Sequence, residues 1–300
     1  MAAYDIILCW RASRRRPASL MKIQVGIGNK EELDFFLGAG ADELYCGSSA
    51  VPGHLYGGGT FGSFRDIAGA VELSHRRGKK FYFAANEIQA GALAGTVSFV
   101  KELAAGGLDG VIVRDISLLA ALKPERLPLE YILTSLAPCY NAGALRFYGE
   151  LGVTRLALPE QLLPGEAEPL VRNGLGIGTE MFLTAREYCV VLNGLCYLKQ
   201  FNGRCLCRAE FRPSGRKRFT MPGPTPAEHF GRLYDLHRLG VPVLKVGRHP
   251  TKGYSRVVFS EALAIARLLE AGLPRGRFVK LALASHGRMD DFLEKCAREN

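Results

Sequence analysis

From residue 21 onward, short apolar runs alternate with longer amphipathic stretches. The apolar runs predict strands, and the stretches between them predict helices. This alternation is typical of βαβ units with a parallel sheet, and eight units close a (β/α)8 barrel. We therefore expect the α/β class, a single TIM-like barrel, with a cysteine-rich insertion after strand 7. The predicted strands are residues 23–27, 43–47, 80–85, 110–115, 131–135, 154–158, 177–182 and 242–246, and the helices with assigned bounds are 30–37, 64–75, 96–105, 143–151 and 260–269.

Residues 1–20 do not follow this pattern. An apolar run at residues 6–10 precedes a basic run at residues 11–17, which reverses the order of a signal peptide. We expect residues 1–20 to be a disordered extension upstream of a biological start at Met21. Residues 21–300 should then form a single domain. The alternative is a structured first strand that covers the bottom of the barrel.

Composition narrows the class of protein. The chain has 300 residues, of which 48% are hydrophobic, and this is enough for one large core. It contains no apolar run long enough to predict a membrane span, and we expect a cytoplasmic protein. The net charge of +10 permits RNA, an anionic substrate or an acidic protein as a partner, without choosing among them.

The candidate chemistry begins with cysteines in the segment 180–208. Four of the eight cysteines fall within nineteen residues, with the spacing C-x6-C-x8-C-x-C. Four thiolates on one loop can hold zinc or an iron–sulfur cluster, and the positive charge of nearby Arg186, Arg204 and Arg208 favours thiolates. A disulfide or four unrelated core cysteines are the alternatives. The four candidate ligands are Cys189, Cys196, Cys205 and Cys207.

The predicted barrel also locates an active face. Catalytic groups of such barrels lie at the C-terminal ends of the strands and in the loops that follow. We expect about half of the polar residues at these positions to be helix caps, turn residues or salt bridges instead. The residues predicted on this rim are Cys46, Asn86, Glu87, Asp115, Ser135, Cys139, Asn141, Glu160, Glu180, Lys245 and Arg248.

Five stretches, in order along the chain, resemble the motifs of one family. They are GADELYCG at residues 40–47, Ser135 with Asn141, EMFLTAREYC at residues 180–189 with Cys196, NGRCLCR at residues 202–208, and LKVGR at residues 244–248 with Tyr254. Together they make the chain similar to the peptidase U32 family. The resemblance covers about Lys22 to Gly272.

The resemblance implies a function that differs from the family label. Besides proteins assigned as peptidases, the family includes oxygen-independent hydroxylation factors that act on RNA pyrimidines or on the ubiquinone precursor. These imply a [4Fe–4S] cluster on four cysteines, with prephenate as the oxygen donor and a related U32 subunit or RNA as a partner. Cys189 and Cys196 match the first two cluster ligands, and Cys205 and Cys207 fall where the later ligands lie. Zinc is the alternative metal.

The sequence also departs from the family motifs. One residue separates Cys205 from Cys207, where the family has three, so Cys46 or Cys139 could replace one of them as a ligand. The family Arg-Glu after strand 6 is replaced by a proline followed by Glu160. The stretch at residues 180–189 lacks the histidine of the family motif, and the stretch at residues 244–248 lacks its glutamate.

Four residues are the candidates for catalysis. Lys245 and Arg248 suit a small dicarboxylate, because two cations at the ends of barrel strands favour anions. Glu160 and Glu180 could transfer protons. The alternative for Lys245 is an ion pair with one of these carboxylates that serves only the structure of the barrel.

Three functions compete at this stage. The first is a cluster-dependent hydroxylase or a subunit of one. The second is a U32-type peptidase or collagenase-like hydrolase, but the chain has no HExxH motif and none of its six histidines lies in residues 180–208. The third is a non-catalytic metal-binding subunit associated with RNA, which the basic run at residues 216–218 would suit.

Overall fold

The computed structural model describes strands and helices that alternate along most of the chain. The described residues are 21–51, 61–86, 90–184, 210–212, 214–215, 218–219, 223–248 and 253–298, with side chains as far as 291. The strands are β1 (Lys22–Ile27), β2 (Glu43–Cys46), β3 (Lys80–Ala85), β4 (Gly110–Val113), β5 (Glu130–Leu133), β6 (Arg155–Ala157), β7 (Gly178–Phe182) and β8 (Val243–Val246).

The helices follow the strands on the outside of the sheet. They are α1 (Lys30–Ala39), α2 (Phe64–Arg76), α3 (Leu93–Ala105), α4 (Ile116–Leu122), α5 (Ala142–Glu150), α6 (Pro164–Val171), α7 (Pro226–Leu239), α8 (Tyr254–Glu270) and α9 (Arg275–Arg298), with a 3-10 turn at Lys123–Glu125. Helix α9 packs against α7 and α8. Within the described residues, no helix combines the length and the apolar character that crossing a membrane requires.

The eight strands form a closed parallel barrel in sequence order, and β1 pairs with β8 to complete it. This confirms the predicted (β/α)8 fold. The predicted bounds of the strands agree with the observed ones to within two residues. The four cysteines of the insertion after β7 lie outside the described part of the chain. The same is true of all residues of the extension at 1–20.

Helices α4, α6, α7 and α9 have no counterpart among the bounds assigned from sequence. Helices α4 and α6 have only seven and eight residues, and α6 contains an internal proline, so neither shows a clear helical period. Helix α7 is easier to recognise afterwards. It begins with a capping box of Thr225 and Glu228, and Pro226 occupies the first helical position between them. These residues are a start signal that sequence reasoning overlooked.

Short polar side chains begin several helices at the C-terminal end of the barrel. Asn29 caps α1, Asp115 caps α4 and Asn141 caps α5, each by accepting a hydrogen bond from a backbone N–H of the first turn. Two residues of the predicted rim, Asp115 and Asn141, are therefore helix caps, as we expected for about half of that set.

The barrel has an apolar outside and a largely polar inside. Outward-facing side chains of the strands join the helices in one hydrophobic core. Inside the barrel, the apolar cluster is small and consists of Tyr82, Ala84, Ile112 and Ile132, with Tyr45 packed against it. The rest of the interior is occupied by charged and polar groups, which must be paired to be buried without a large cost in free energy.

Arg155, the first residue of β6, lies at the centre of these groups. Its guanidinium bonds the carboxylate of Glu43, both carboxylate oxygens of Glu130 at 2.8 and 3.0 Å, and Glu180 at 3.3 Å. It also donates to the hydroxyl of Tyr82 at 3.1 Å. Arg155 thus connects β6 to β2, β3, β5 and β7 across the barrel, and we call these groups, with Lys245, the interior ionic network.

The charges in this network control one another's protonation. Burial opposes the charge of Arg155, but its hydrogen bond to Glu43 and the charges of Glu43 and Glu180 raise the pKa of the guanidinium above its ordinary value. Burial alone would raise the pKa of Glu43, yet the hydrogen bond and charge of Arg155 outweigh it and lower that pKa. Arg155 and Glu43 are therefore ionised at neutral pH, and each stabilises the charge of the other.

Replacing Arg155 by methionine should destabilise the fold strongly. Glu43 would stay buried without its main cation and Glu180 would keep only Lys245, so we expect a loss of about 3–5 kcal/mol in the free energy of unfolding in urea. Arg155→Lys, which keeps a charge, should lose less. The control is Arg172→Met, which breaks an exposed ion pair on α6 and should cost under about 0.5 kcal/mol. An Arg155→Met protein within about 1 kcal/mol of wild type would contradict the role of the network.

Acid should weaken the fold through Glu43. The pKa of this carboxyl is lowered from 4.5 in the folded state, so its contribution to stability is complete above that value and is lost as pH falls through the folded pKa. We expect the free energy of unfolding to fall between about pH 5 and pH 3, with a smaller slope in Glu43→Gln. Glu168→Gln, at an exposed carboxylate, should keep the wild-type slope. Equal slopes in all three proteins would refute this assignment.

Candidate active site at the C-terminal rim

Two of the four catalytic candidates lie inside the barrel, whereas the sequence placed them on its rim. Glu180 is the third residue of β7 and Lys245 the third of β8, and their side chains are 0% and 3% exposed. Lys245 Nζ donates to Glu180 Oε1 at 2.7 Å. The strands extend beyond both residues, so the two side chains fill an interior layer. This is the geometry of the structural ion pair, and the catalytic role of either residue stays a prediction.

Two aromatic rings accompany the ammonium group of Lys245. Its Nζ lies 4.7 Å from the ring centroid of Tyr45 and 5.4 Å from that of Phe182. Burial lowers the pKa of Lys245, while the charge and hydrogen bond of Glu180 oppose that effect. The group therefore depends on Glu180 to remain charged at this depth.

Arg248, the third candidate, does lie at the rim. It follows β8 by two residues, and its Nε is 3.2 Å from Oε2 of Glu32 on α1. The same carboxylate oxygen accepts the backbone N–H of Gly28 at 2.6 Å. A Cβ atom on Gly28 would lie 2.1 Å from Cζ of Arg248, so only glycine leaves room for the guanidinium. Gly28 and Glu32 together fix the position of this cation.

The signal for this arrangement was present in the sequence. Glycines occur at alternate positions, Gly26 and Gly28, at the end of β1. A Cβ atom on Gly26 would come within 2.8 Å of Tyr45, whose hydroxyl donates to the carbonyl of Val246 at 3.3 Å. The two glycines thus allow Tyr45 and Arg248 to cross close to the backbone of β1, which sequence reasoning missed.

Glu160, the fourth candidate, lies three residues beyond β6 and is partly exposed. Arg232 of α7 donates to the main-chain carbonyl oxygens of Glu160 and of Pro159, the latter at 2.9 Å. The loop after β6 is therefore held by a guanidinium from the helix that follows the insertion. Of the remaining rim residues, Asn86 follows β3 and Ser135 follows β5, whereas Glu87 lies outside the described residues.

Two cysteines proposed as substitute ligands lie away from solvent. Cys46 and Cys139 are buried in the hydrophobic core between strands and helices. Burial raises the pKa of Cys139 to about 12, and it raises that of Cys46 as well. Both are therefore protonated thiols. Cys189, Cys196, Cys205 and Cys207 fall outside the described residues, and within the described part no group of three or more potential ligands could hold a metal ion.

The insertion after β7 is fastened where it begins. The backbone N–H of Thr184 donates to Nε2 of His229 on α7 at 3.1 Å. Burial lowers the pKa of His229 to about 3, helped by the charges of Arg232 and His286, so the imidazole stays neutral and can accept this bond. We call the contact between Thr184 and His229 the neck of the insertion. His229 belongs to none of the motifs recognised in the sequence.

The chain is similar in sequence to a protein of Escherichia coli. The 23S rRNA 5-hydroxycytidine C2501 synthase of Escherichia coli (strain K12) is 25% identical over 184 residues, which are 61% of this chain and 27% of that protein. The chain thus spans about a quarter of the length of this relative.

Two solved structures are similar to this chain at low sequence identity. The U32 peptidase Mk0906 has a TM-score of 0.49 at 12% identity and covers 79% of this chain and 96% of its own. A 2,3-dimethylmalate lyase has a TM-score of 0.45 at 12% identity and covers 100% of both chains. The model of peptidase family U32 matches residues 28–260, from the end of β1 into α8. Because that match covers most of the chain, the protein belongs to peptidase family U32.

Proposed function

We propose that this protein is an iron–sulfur-dependent, oxygen-independent hydroxylase that acts on an RNA base. The observation that carries the proposal is the similarity to an enzyme named as a 23S rRNA 5-hydroxycytidine synthase. The shared region includes only part of that relative, so the substrate of this chain is inferred from the family relationship together with its own residues.

The set of cysteines supports the cofactor. Cys189, Cys196, Cys205 and Cys207 are the donors that the family motifs provide, whereas Cys46 and Cys139 are buried thiols whose pKa is raised by burial. An iron–sulfur cluster held by four thiolates would supply redox chemistry, which zinc in the same site could not. Zinc would instead favour a non-catalytic subunit.

The charge of the insertion supports an RNA substrate. Residues 185–221 contain eight lysine and arginine residues against two acidic ones, so this segment carries more than half of the net charge of +10. A basic segment beside an active face attracts the phosphates of nucleic acid. A quinone precursor has no comparable charge, and we therefore favour RNA over that second substrate class.

Arg248 is our candidate for binding a small anionic co-substrate such as prephenate. A guanidinium can hold a carboxylate through two parallel hydrogen bonds, and here Glu32 and Gly28 fix its orientation. Glu160, on the loop after β6 at the same rim, is the candidate for proton transfer. Glu180 and Lys245 would support the rim from inside the barrel through their ion pair.

Peptidase chemistry has less support. The sequence has no metalloprotease motif, and a cysteine nucleophile needs a thiolate. Burial raises the thiol pKa of both described cysteines, which disfavours either of them as that nucleophile.

The first test uses the protein purified without oxygen. It should contain iron and sulfide and, with prephenate and RNA, should yield nucleosides heavier by one oxygen atom in mass spectrometry. Cys189→Ser and Cys196→Ser should lose both iron and product, whereas Cys139→Ala should retain the iron. Full iron in both serine variants would refute the cluster assignment. A protein that carries zinc and forms no product would identify a non-catalytic subunit, and a product found only with a quinone precursor would replace RNA as the substrate.

The second test addresses Arg248. Arg248→Ala should weaken prephenate binding about ten- to a hundred-fold in calorimetry, because a charge-assisted hydrogen bond to the carboxylate is lost. Glu32→Gln should weaken it less, since the guanidinium remains but is held less firmly. The matched control is Arg256→Ala, which breaks the neighbouring pair of Arg256 with Glu31 and should leave binding unchanged. If Arg248→Ala lowers only the melting temperature and binds prephenate normally, the residue is structural.

A further inference from the structure

The segment that follows the cysteines contains an antiparallel bridge between two phenylalanines. Phe211 N–H donates to the carbonyl of Phe219 at 2.8 Å, and Phe219 N–H returns a hydrogen bond at 3.0 Å. The two rings are stacked, with centroids 5.5 Å apart and planes inclined by 25°. We call Phe211 and Phe219, with the adjoining Arg212 and Arg218, the aromatic bridge.

The aromatic bridge combines exposed apolar surface with positive charge. Phe219 is 47% exposed, so one face of its ring is open to solvent. Arg212 and Arg218 are exposed beside the two phenylalanines in the sequence, and Arg218 pairs with Glu210 at 3.2 Å on the surface. Such exposed pairs are weak, so Arg218 can exchange its carboxylate for another anion at little cost.

We propose that the aromatic bridge binds unpaired nucleotides of RNA. Every base presents a flat face that stacks on an aromatic ring, and arginines beside the ring can contact the phosphates on either side of that base. An acidic protein would satisfy the arginines but would leave the exposed face of Phe219 without a matching planar group. This inference rests on the proposed function and adds to it the surface that holds the substrate strand.

The position of the bridge in the chain places bound RNA near the proposed chemistry. Phe211 follows Cys207 by four residues, so their Cα atoms are at most about 14 Å apart even in a fully extended chain. Helix α7 begins shortly after the bridge, and the neck between Thr184 and His229 ties that helix to the end of β7. A strand held by the bridge therefore lies within a few nucleotides of the cysteines and of the barrel rim.

The test measures binding of a fluorescein-labelled, single-stranded RNA of mixed sequence to the full-length holoprotein by anisotropy. Phe219→Leu keeps an apolar side chain but removes the stacking face, and it should weaken binding about tenfold. Phe219→Trp should retain the affinity. Arg218→Gln should reduce the slope of log K against log salt by about 0.7, the value for one phosphate contact on a single strand.

Two matched controls separate this surface from general effects. Phe147 of α5 is also 47% exposed and also has an aromatic neighbour, Tyr148, so Phe147→Leu tests the loss of any exposed ring. Arg172, just after the end of α6, is an exposed arginine paired with a glutamate, so Arg172→Gln tests the loss of any surface charge. Both controls should bind RNA as wild type does.

The outcomes distinguish this inference from the proposed function. If wild type binds RNA and Phe219→Leu and Arg218→Gln bind it equally well, the aromatic bridge is not the RNA surface, while hydroxylation can still stand on its product. If wild type does not bind RNA but binds polyglutamate, and Arg218→Gln abolishes that binding, the bridge is a site for an acidic protein and the RNA assignment is overturned. Iron and the hydroxylated product are measured separately in the wild-type protein. Their absence would count against the proposed function and not against RNA binding by the aromatic bridge.

Discussion

The pairing of Arg155 with three glutamates is the interaction on which this barrel most depends. A closed parallel barrel must fill its interior, and here charged groups occupy much of that space. Buried charges are tolerated only when each has partners, so Glu43, Glu130 and Glu180 must converge on one guanidinium. That convergence requires the strands that carry them to keep their register. An apolar core of the same volume could be equally stable, but it would place fewer demands on which residues meet.

The same constraint reaches the rim through Glu180 and Lys245. Their ion pair fixes β7 against β8. These are the strands that precede and follow the insertion in the chain. Beyond Lys245, the chain continues for three residues to Arg248, whose guanidinium is held by Glu32 over Gly28. The interior network therefore helps to fix the strand ends from which the rim cation extends.

Much of the fold could be predicted from the sequence, because apolar runs repeat eight times with helical stretches between them. Helices of seven or eight residues escaped, since they show too little of a helical period. The interior position of Glu180 could have been recognised from its alternation with Thr179 and Met181, which is the period of a strand. Its contact with Arg155 could not, because the two residues are 25 positions apart and meet only when β6 pairs with β7. Gly28 shows the same limit, since its need for space comes from Arg248, which is 220 positions away along the chain.

The insertion poses a different physical problem from the barrel. Thr184 and His229 are 45 positions apart, and their hydrogen bond closes the segment between them into a loop at the end of β7. Closing a loop of this length has an entropic cost that grows only slowly with length, so the barrel can carry the segment with a few contacts at its base. A neutral histidine suits that base, because the segment is basic and a second cation at the neck would repel it. The barrel thus supplies a rigid platform, and the residues that would select a substrate lie on a segment whose sequence can change without disturbing the interior network.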